Sequence, residues 1–143
     1  MARPRSLGSD ARSSIENTLN KCACCYDVGP IEELGDCFAL DAEMTFVGAE
    51  PIAGREAVAA EMARRRNVPR YQDGSRPWHV LTNVYIAEQN EREATVHTWW
   101  MFFIVNPDGK ANLTSIGSYD DVFTSDGDNW LIQRRVETLI GRS

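Results

Sequence analysis

Histidine is scarce in this chain. Its 143 residues include only two, His79 and His97, too few for a histidine-rich metal centre. No stretch is long and apolar enough to cross a bilayer. Met1 to Ser6 lead into a polar segment without an apolar h-region, so no signal peptide is expected. Basic charge is in deficit, with 15 Lys and Arg against 21 Asp and Glu and a formal net charge of -6. That balance argues against nucleic acid and anionic membranes as partners. Two basic spots do not overturn it: Arg3 and Arg5 lie near the N-terminus, and Arg64-Arg65-Arg66 ends a helical pattern, where cations suit the dipole. Cysteines are few, and three of the four (Cys22, Cys24, Cys25, Cys37) crowd into one segment without a second pair. They are expected to stay reduced in a cytoplasm, with Cys22 a small core residue and no metal site.

What is present describes one ordinary globular domain, 25% charged and 43% hydrophobic, without internal repeats. Residues 1–8 are expected to form a flexible N-terminus and residues 9–143 the domain. Ser9 suits an N-cap. Ile15, Leu19, Cys22, Ala23 and Tyr26 recur at helical spacing. Gly29 ends that helix, and Pro30 opens a short second one over Ile31 to Phe38. A strand over Glu43 to Val47, a bend at Glu50 to Gly54 and a third helix over Arg55 to Arg65 follow. The chain then changes character. Four β-type runs (Trp78 to Glu88, Glu93 to Val105, Asn112 to Thr124, Asn129 to Ile140) are separated by turn residues. Short loops between long strands predict antiparallel neighbours. The expected class is α+β, a curved antiparallel sheet covered on one face by three helices. Trp99 to Val105 is apolar at every position. A strand apolar on both sides needs cover on both faces, which predicts a homodimer packed sheet to sheet.

Asp27 and His79 are polar residues at places that should prefer apolar ones. Asp27 closes the first helix, where its charge opposes the helix dipole at a cost of about 0.3–1 kcal/mol. It reads either as an exposed turn acid or as a group that the apolar stripe carries inward. His79 lies in a strand whose alternation sets His79, Leu81, Asn83 and Tyr85 on one face, a mixed row that suits a ligand pocket. If the two meet in a dry pocket, they make a general base with its orienting acid. Arg134 falls in the otherwise buried row Trp130, Ile132, Val136. There it neutralises an acid such as Asp27, holds an anionic substrate group, or snorkels to the strand end. His97 shares a row with Thr95, Trp99, Met101 and Phe103 and reads as structural.

Taken in order, Tyr26-Asp27, Leu34 with Phe38, Asp41 to Phe46, Gly54 to Ala57, His79 with Thr82-Asn83, Gly117 to Tyr119 with Phe123, and Trp130 with Ile132 and Arg134-Arg135 resemble the SnoaL-like group of the nuclear-transport-factor-2-like superfamily. Scytalone dehydratase, a bacterial dehydrochlorinase, bile-acid dehydratases and ketosteroid isomerase are relatives. The resemblance runs from about Ile15 to Ile140 and implies a cone of curved sheet closed by three helices around a deep pocket. It also implies a catalytic dyad of Asp27 and His79, with Tyr26 assisting at a substrate carbonyl and Arg134 near the pocket. Two departures are visible. Cys22 stands about where the dehydrochlorinase has a lysine, and His97 does not match the second histidine of scytalone dehydratase. The implied chemistry needs no metal or cofactor. His79 removes a proton beside a carbonyl or ring, Asp27 holds the imidazole, and Tyr26 or Asn83 stabilises the enolate. Elimination or isomerisation follows. The aromatic supply, Trp99 included, suits a flat apolar ligand. A non-catalytic ligand-binding module, or the small structural subunit of a ring-hydroxylating dioxygenase, is the competing expectation.

Overall fold

The computed structural model describes residues 7–71 and 73–143. Helix α1 (Leu7–Asp27) is followed by a short 3-10 helix (Ile31–Cys37), strands β1 (Phe38–Phe46) and β2 (Ile52–Ala53), helix α2 (Arg55–Arg66) and a 3-10 turn (Pro69–Tyr71). Four long strands complete the chain: β3 (Arg76–Gln89), β4 (Glu93–Val105), β5 (Ala111–Ser125) and β6 (Trp130–Arg142). Helix α1 starts two residues before the expected cap, so Ser9 lies within it. The flexible terminus expected over residues 1–8 falls mainly on residues 1–6, outside the described residues.

The strands form one six-stranded, unclosed sheet in the order β2-β1-β6-β5-β4-β3. The long hairpins are antiparallel as expected, but β1 runs parallel to β6. That correction has a simple cause: β1 and β6 come from opposite ends of the chain, and no hairpin sets their direction. The helices pack on the concave face. Ala11, Ile15, Leu19, Cys22 and Cys25 bury one stripe of α1, and Val58 and Met62 that of α2. With Leu34, Phe38, Val96, Phe123 and Ile132 they make the core, where each large side chain fully buried stabilises by about 1.5–3 kcal/mol. Polar stitches fix the layers. The Thr18 hydroxyl donates to the Trp130 carbonyl at 2.7 Å, and the Ser14 hydroxyl accepts from the Trp130 N–H at 3.2 Å. Arg55 Nε donates to the Phe38 carbonyl at 2.7 Å.

Two β-bulges control which residues face the helices. Between the pairs Thr82–Trp99 and Tyr85–His97, β3 advances three residues while β4 advances two. Asn83 takes up the extra residue at φ +54°, a left-handed conformation that Asn tolerates. Between the pairs Phe123–Ile132 and Val122–Arg134, β6 likewise carries an extra residue, Gln133. Strict alternation therefore fails in both strands. After His79 and Leu81 the inward residues are Val84 and Ile86; after Trp130 and Ile132 they are Arg135 and Glu137.

Candidate active site

Helix α1 must stop where Asp27 can reach the sheet. The Val28 and Gly29 N–H groups both bond the Cys24 carbonyl, at 2.9 and 3.2 Å, and Gly29 turns the chain at φ +81°. A left-handed glycine just beyond the last turn is a standard helix stop. Arg66, from the end of α2, donates from Nε to the Tyr26 carbonyl at 3.0 Å and from Nη2 to the Asp27 carbonyl at 3.5 Å. Its cation covers the negative end of the helix and offsets the unfavourable setting of the Asp27 charge.

Asp27 is only 6% exposed. Its Oδ1 lies 2.7 Å from His79 Nδ1, and its Oδ2 accepts the His79 backbone N–H at 2.6 Å. One carboxylate thus holds both the main chain and the ring of one residue. A carboxylate only accepts, so Nδ1 carries the proton and Nε2 is the nitrogen left with a lone pair. Three rings enclose the imidazole: Tyr26 edge-on at 5.4 Å, Phe102 at 4.7 Å and Trp100 at 6.4 Å between centroids.

His79 lines a cavity of about 350 Å³ between the helices and the concave sheet. Tyr26, Phe38, Phe46, Met62 and Phe102 supply apolar wall, and Arg64 and Arg65 also line it. Deeper polar groups come from β5 and β6. Arg135, 3% exposed, donates from Nε and Nη2 to the two oxygens of Asp121 at 2.8 and 2.9 Å, and its guanidinium lies 3.7 Å from the Tyr119 ring centre. Burial works against the Arg135 charge, but the Asp121 carboxylate overrides it and raises the pKa. Burial also pushes the Tyr119 hydroxyl well up. A hydrogen bond with Cys37 brings the Cys22 thiol down to about 7 despite its burial, with Arg135 assisting. Glu137 completes the wall, and its carboxyl is pushed up by burial.

Asp27, His79 and Tyr26 therefore come together as anticipated, and three other expectations need correction. Asn83 is exposed and points away from the cavity, because the β3 bulge reverses its face; its carbonyl oxygen accepts from the Thr82 hydroxyl at 2.7 Å. Trp99 is 57% exposed on the convex face, whereas Trp100, 6% exposed, lines the cavity. His79 pairs across the sheet with Phe102, which puts the even-numbered residues of β4 inside. The small core residues Ala94 and Val96 were the available signal. Arg134 is exposed as well, since the β6 bulge turns Arg135 inward in its place. His97 is structural in setting: on the convex face it bonds Asp120 through Nδ1 and stacks on Tyr85. Sequence reasoning counted Tyr119 only among the aromatic supply and gave no role to Asp121 or Glu137.

Among the described residues, no three His, Cys, Asp or Glu side chains are grouped to hold a metal ion, and no helix is long and apolar enough to cross a membrane. The SnoaL-like domain model matches residues 9–136. The chain belongs to the SnoaL-like family. Several structures from Novosphingobium aromaticivorans share the fold of this SnoaL-like domain. One, provisionally assigned as a scytalone dehydratase, superposes with a TM-score of 0.76 at 20% identity, covering 92% of this chain and 85% of the other. An NTF2-like protein with a cystatin-like fold gives 0.77 at 22%, covering 94% and 84%. The β subunit of a protein provisionally assigned as an aromatic-ring-hydroxylating dioxygenase gives 0.74 at 16%, covering 93% and 91%. No curated protein matches the chain significantly.

Proposed function

We propose that this SnoaL-like domain is a cofactor-independent lyase or isomerase of small apolar molecules, cyclic or aromatic, with His79 as base and Asp27 as its orienting acid. The observation that carries the reading is the double contact of Asp27 with His79. A buried carboxylate holding both the ring and the backbone of one histidine fixes the tautomer and the ring direction together. Nε2 then takes a proton from a carbon beside a carbonyl or ring, and Asp27 stabilises the imidazolium. The aromatic wall around the imidazole suits a flat substrate. Tyr26 stands against the imidazole, near where enolate charge would develop. Loss of a group from the adjacent carbon gives elimination; reprotonation elsewhere gives isomerisation.

The dioxygenase-subunit likeness supports a second reading, a ligand-binding or structural module on the same fold. A screen of cyclic ketones and β-hydroxyketones against wild type, His79→Ala and Asp27→Asn separates the two. Loss of turnover by about 100-fold or more in both variants is expected; equal rates in all three proteins would leave only binding. We further infer a homodimer through the convex sheet face, where Trp78, Trp99, Leu113 and Ile116 are exposed side by side. A monomer mass in sedimentation at micromolar concentration would overturn it. Four cysteines without a disulfide suit a cytoplasmic setting.

A further inference from the structure

Among the described residues, Glu137 is the acid that lines the cavity. Its side chain makes no hydrogen bond or ion pair with the described residues. The other charged groups of the wall are committed: Arg135 to Asp121, and both Arg64 and Arg65 to Glu61 at 2.6 and 2.9 Å. Tyr119 lies beneath the Arg135 guanidinium, and Cys22 is tied to Cys37. Among the described residues of the wall, Glu137 is thus the carboxyl group, and His79 Nε2 the ring nitrogen, without a hydrogen-bond partner. They stand on β6 and β3, three strand steps apart on one concave face. Across the sheet His79 aligns with Phe102, Ser115 and Arg142, so Glu137 also lies five residues along β6 from that line, and both side chains line the one cavity.

We propose that Glu137 is the general acid opposite His79, and that the reaction of this site is dehydration of an uncharged β-hydroxycarbonyl compound. The proposal rests on the reading of His79 as base. In the step, His79 Nε2 takes the proton from the carbon beside the carbonyl. That electron pair forms the C=C bond, the bond to the neighbouring hydroxyl breaks, and Glu137 delivers its proton to the departing oxygen. The products are the unsaturated carbonyl compound and one water. The imidazolium returns its proton to the Glu137 carboxylate through that water, which restores both groups. Hydroxide is a poor leaving group and needs such an acid, whereas a free carboxylate there would repel it. The charged and titratable groups that face Glu137 are Arg135 on its own strand, Tyr119 and Asp121 on β5, His79 on β3 and Arg65 on α2. Burial outweighs the pull of the cations, so the carboxyl keeps its proton above the usual glutamate range.

Two probes separate acid from base. The aldol adduct of benzaldehyde and acetone must lose hydroxide, whereas nitrobenzisoxazole opens to a phenolate that leaves without an acid. Glu137→Gln should lose about 100-fold or more on the aldol adduct and stay within about threefold of wild type on nitrobenzisoxazole, with Glu137→Asp recovering part of the loss. His79→Ala should lose both activities. A Glu137→Gln protein that still dehydrates the aldol adduct, or that loses both activities equally, overturns the acid role. A His79→Ala protein that keeps both overturns the base reading instead. A third measurement does not depend on turnover: the carboxyl carbon of Glu137, assigned by its absence in Glu137→Gln, should titrate above the ordinary glutamate value in carbon NMR. A midpoint at or below that value ends the proposal.

Discussion

Replacing Asp121 by Asn tests how far the polar floor of the cavity governs the stability of the fold. The Arg135 and Asp121 side chains are 3% and 0% exposed and are joined by two short bonds. Asp121→Asn keeps the volume and one acceptor but leaves a desolvated guanidinium without its counter-charge. Breaking a buried pair in this way costs about 3–5 kcal/mol, a large part of the ~5–15 kcal/mol that holds a typical domain together. With an unfolding entropy of about 2.1 cal/mol/K per residue, 143 residues give about 0.30 kcal/mol/K, so the melting temperature should fall by roughly 10–17 °C. Urea unfolding followed by tryptophan fluorescence and thermal melting by circular dichroism should agree. Arg135→Met alone should also destabilise, whereas Asp121→Leu with Arg135→Met should recover most of the loss, because an apolar pair leaves no buried charge. An Asp121→Asn protein within about 1 kcal/mol of wild type, or a double variant no better than the single ones, would refute the claim that the pair is desolvated.

Three further outcomes follow from the same structure. Asn83→Gly should fold at least as well as wild type and keep its activity, while Asn83→Val should lose about 1–2 kcal/mol in urea unfolding, because φ +54° disfavours a β-branched residue; a Gly variant without activity would restore Asn83 to the site. Gly117→Ala drives a methyl group into the Trp100 indole and the Thr138 carbonyl, so a loss of about 1–3 kcal/mol should accompany a shifted tryptophan emission from the displaced cavity wall. Glu137→Gln should be more stable than wild type near pH 8, with the gain vanishing as pH falls below the ordinary glutamate value of 4.5. The native state holds this proton more tightly than the unfolded chain, so wild-type stability declines as pH rises between the two pKa values; parallel pH profiles of the two proteins would contradict that.

The fold was legible because its signals are local and repeated. Ile15, Leu19 and Cys22 mark α1, and the turn residues after Val105 and Ser125 mark the hairpins to within about two residues. The dyad was legible for another reason. A carboxylate at a helix end and a histidine in a strand are each out of place, and such misplacement is visible without knowing the fold. The rest of the site was hidden by parity. Alternation assigns faces correctly only while the register is unbroken, and one inserted residue reverses every later side chain. Gln133 made Arg134 look buried and hid the inward setting of Arg135 and Glu137. Asn83 did the same in β3. Asn at a left-handed position offers a weak clue, but nothing about Gln133 announces a bulge. Trp99 failed differently: β4 is apolar on both faces, so composition could not choose between Trp99 and Trp100.

These reversals change the chemistry that the cavity favours. With Arg134 inside, an anionic substrate would have had a free cation to meet it. The cation that actually turns inward, Arg135, is already neutralised by Asp121 through both carboxylate oxygens, and Arg64 and Arg65 share Glu61. An anion entering the cavity would give up its hydration for partners that are already occupied. A neutral substrate meets no such opposition. It gains the aromatic enclosure around His79 and can present a hydroxyl or carbonyl oxygen to a carboxyl group that burial inclines to keep its proton. On the proposed reading, the pairing of charges deep in the wall would act as a selection rule, leaving His79 as base and Glu137 as acid for a substrate that brings no charge of its own.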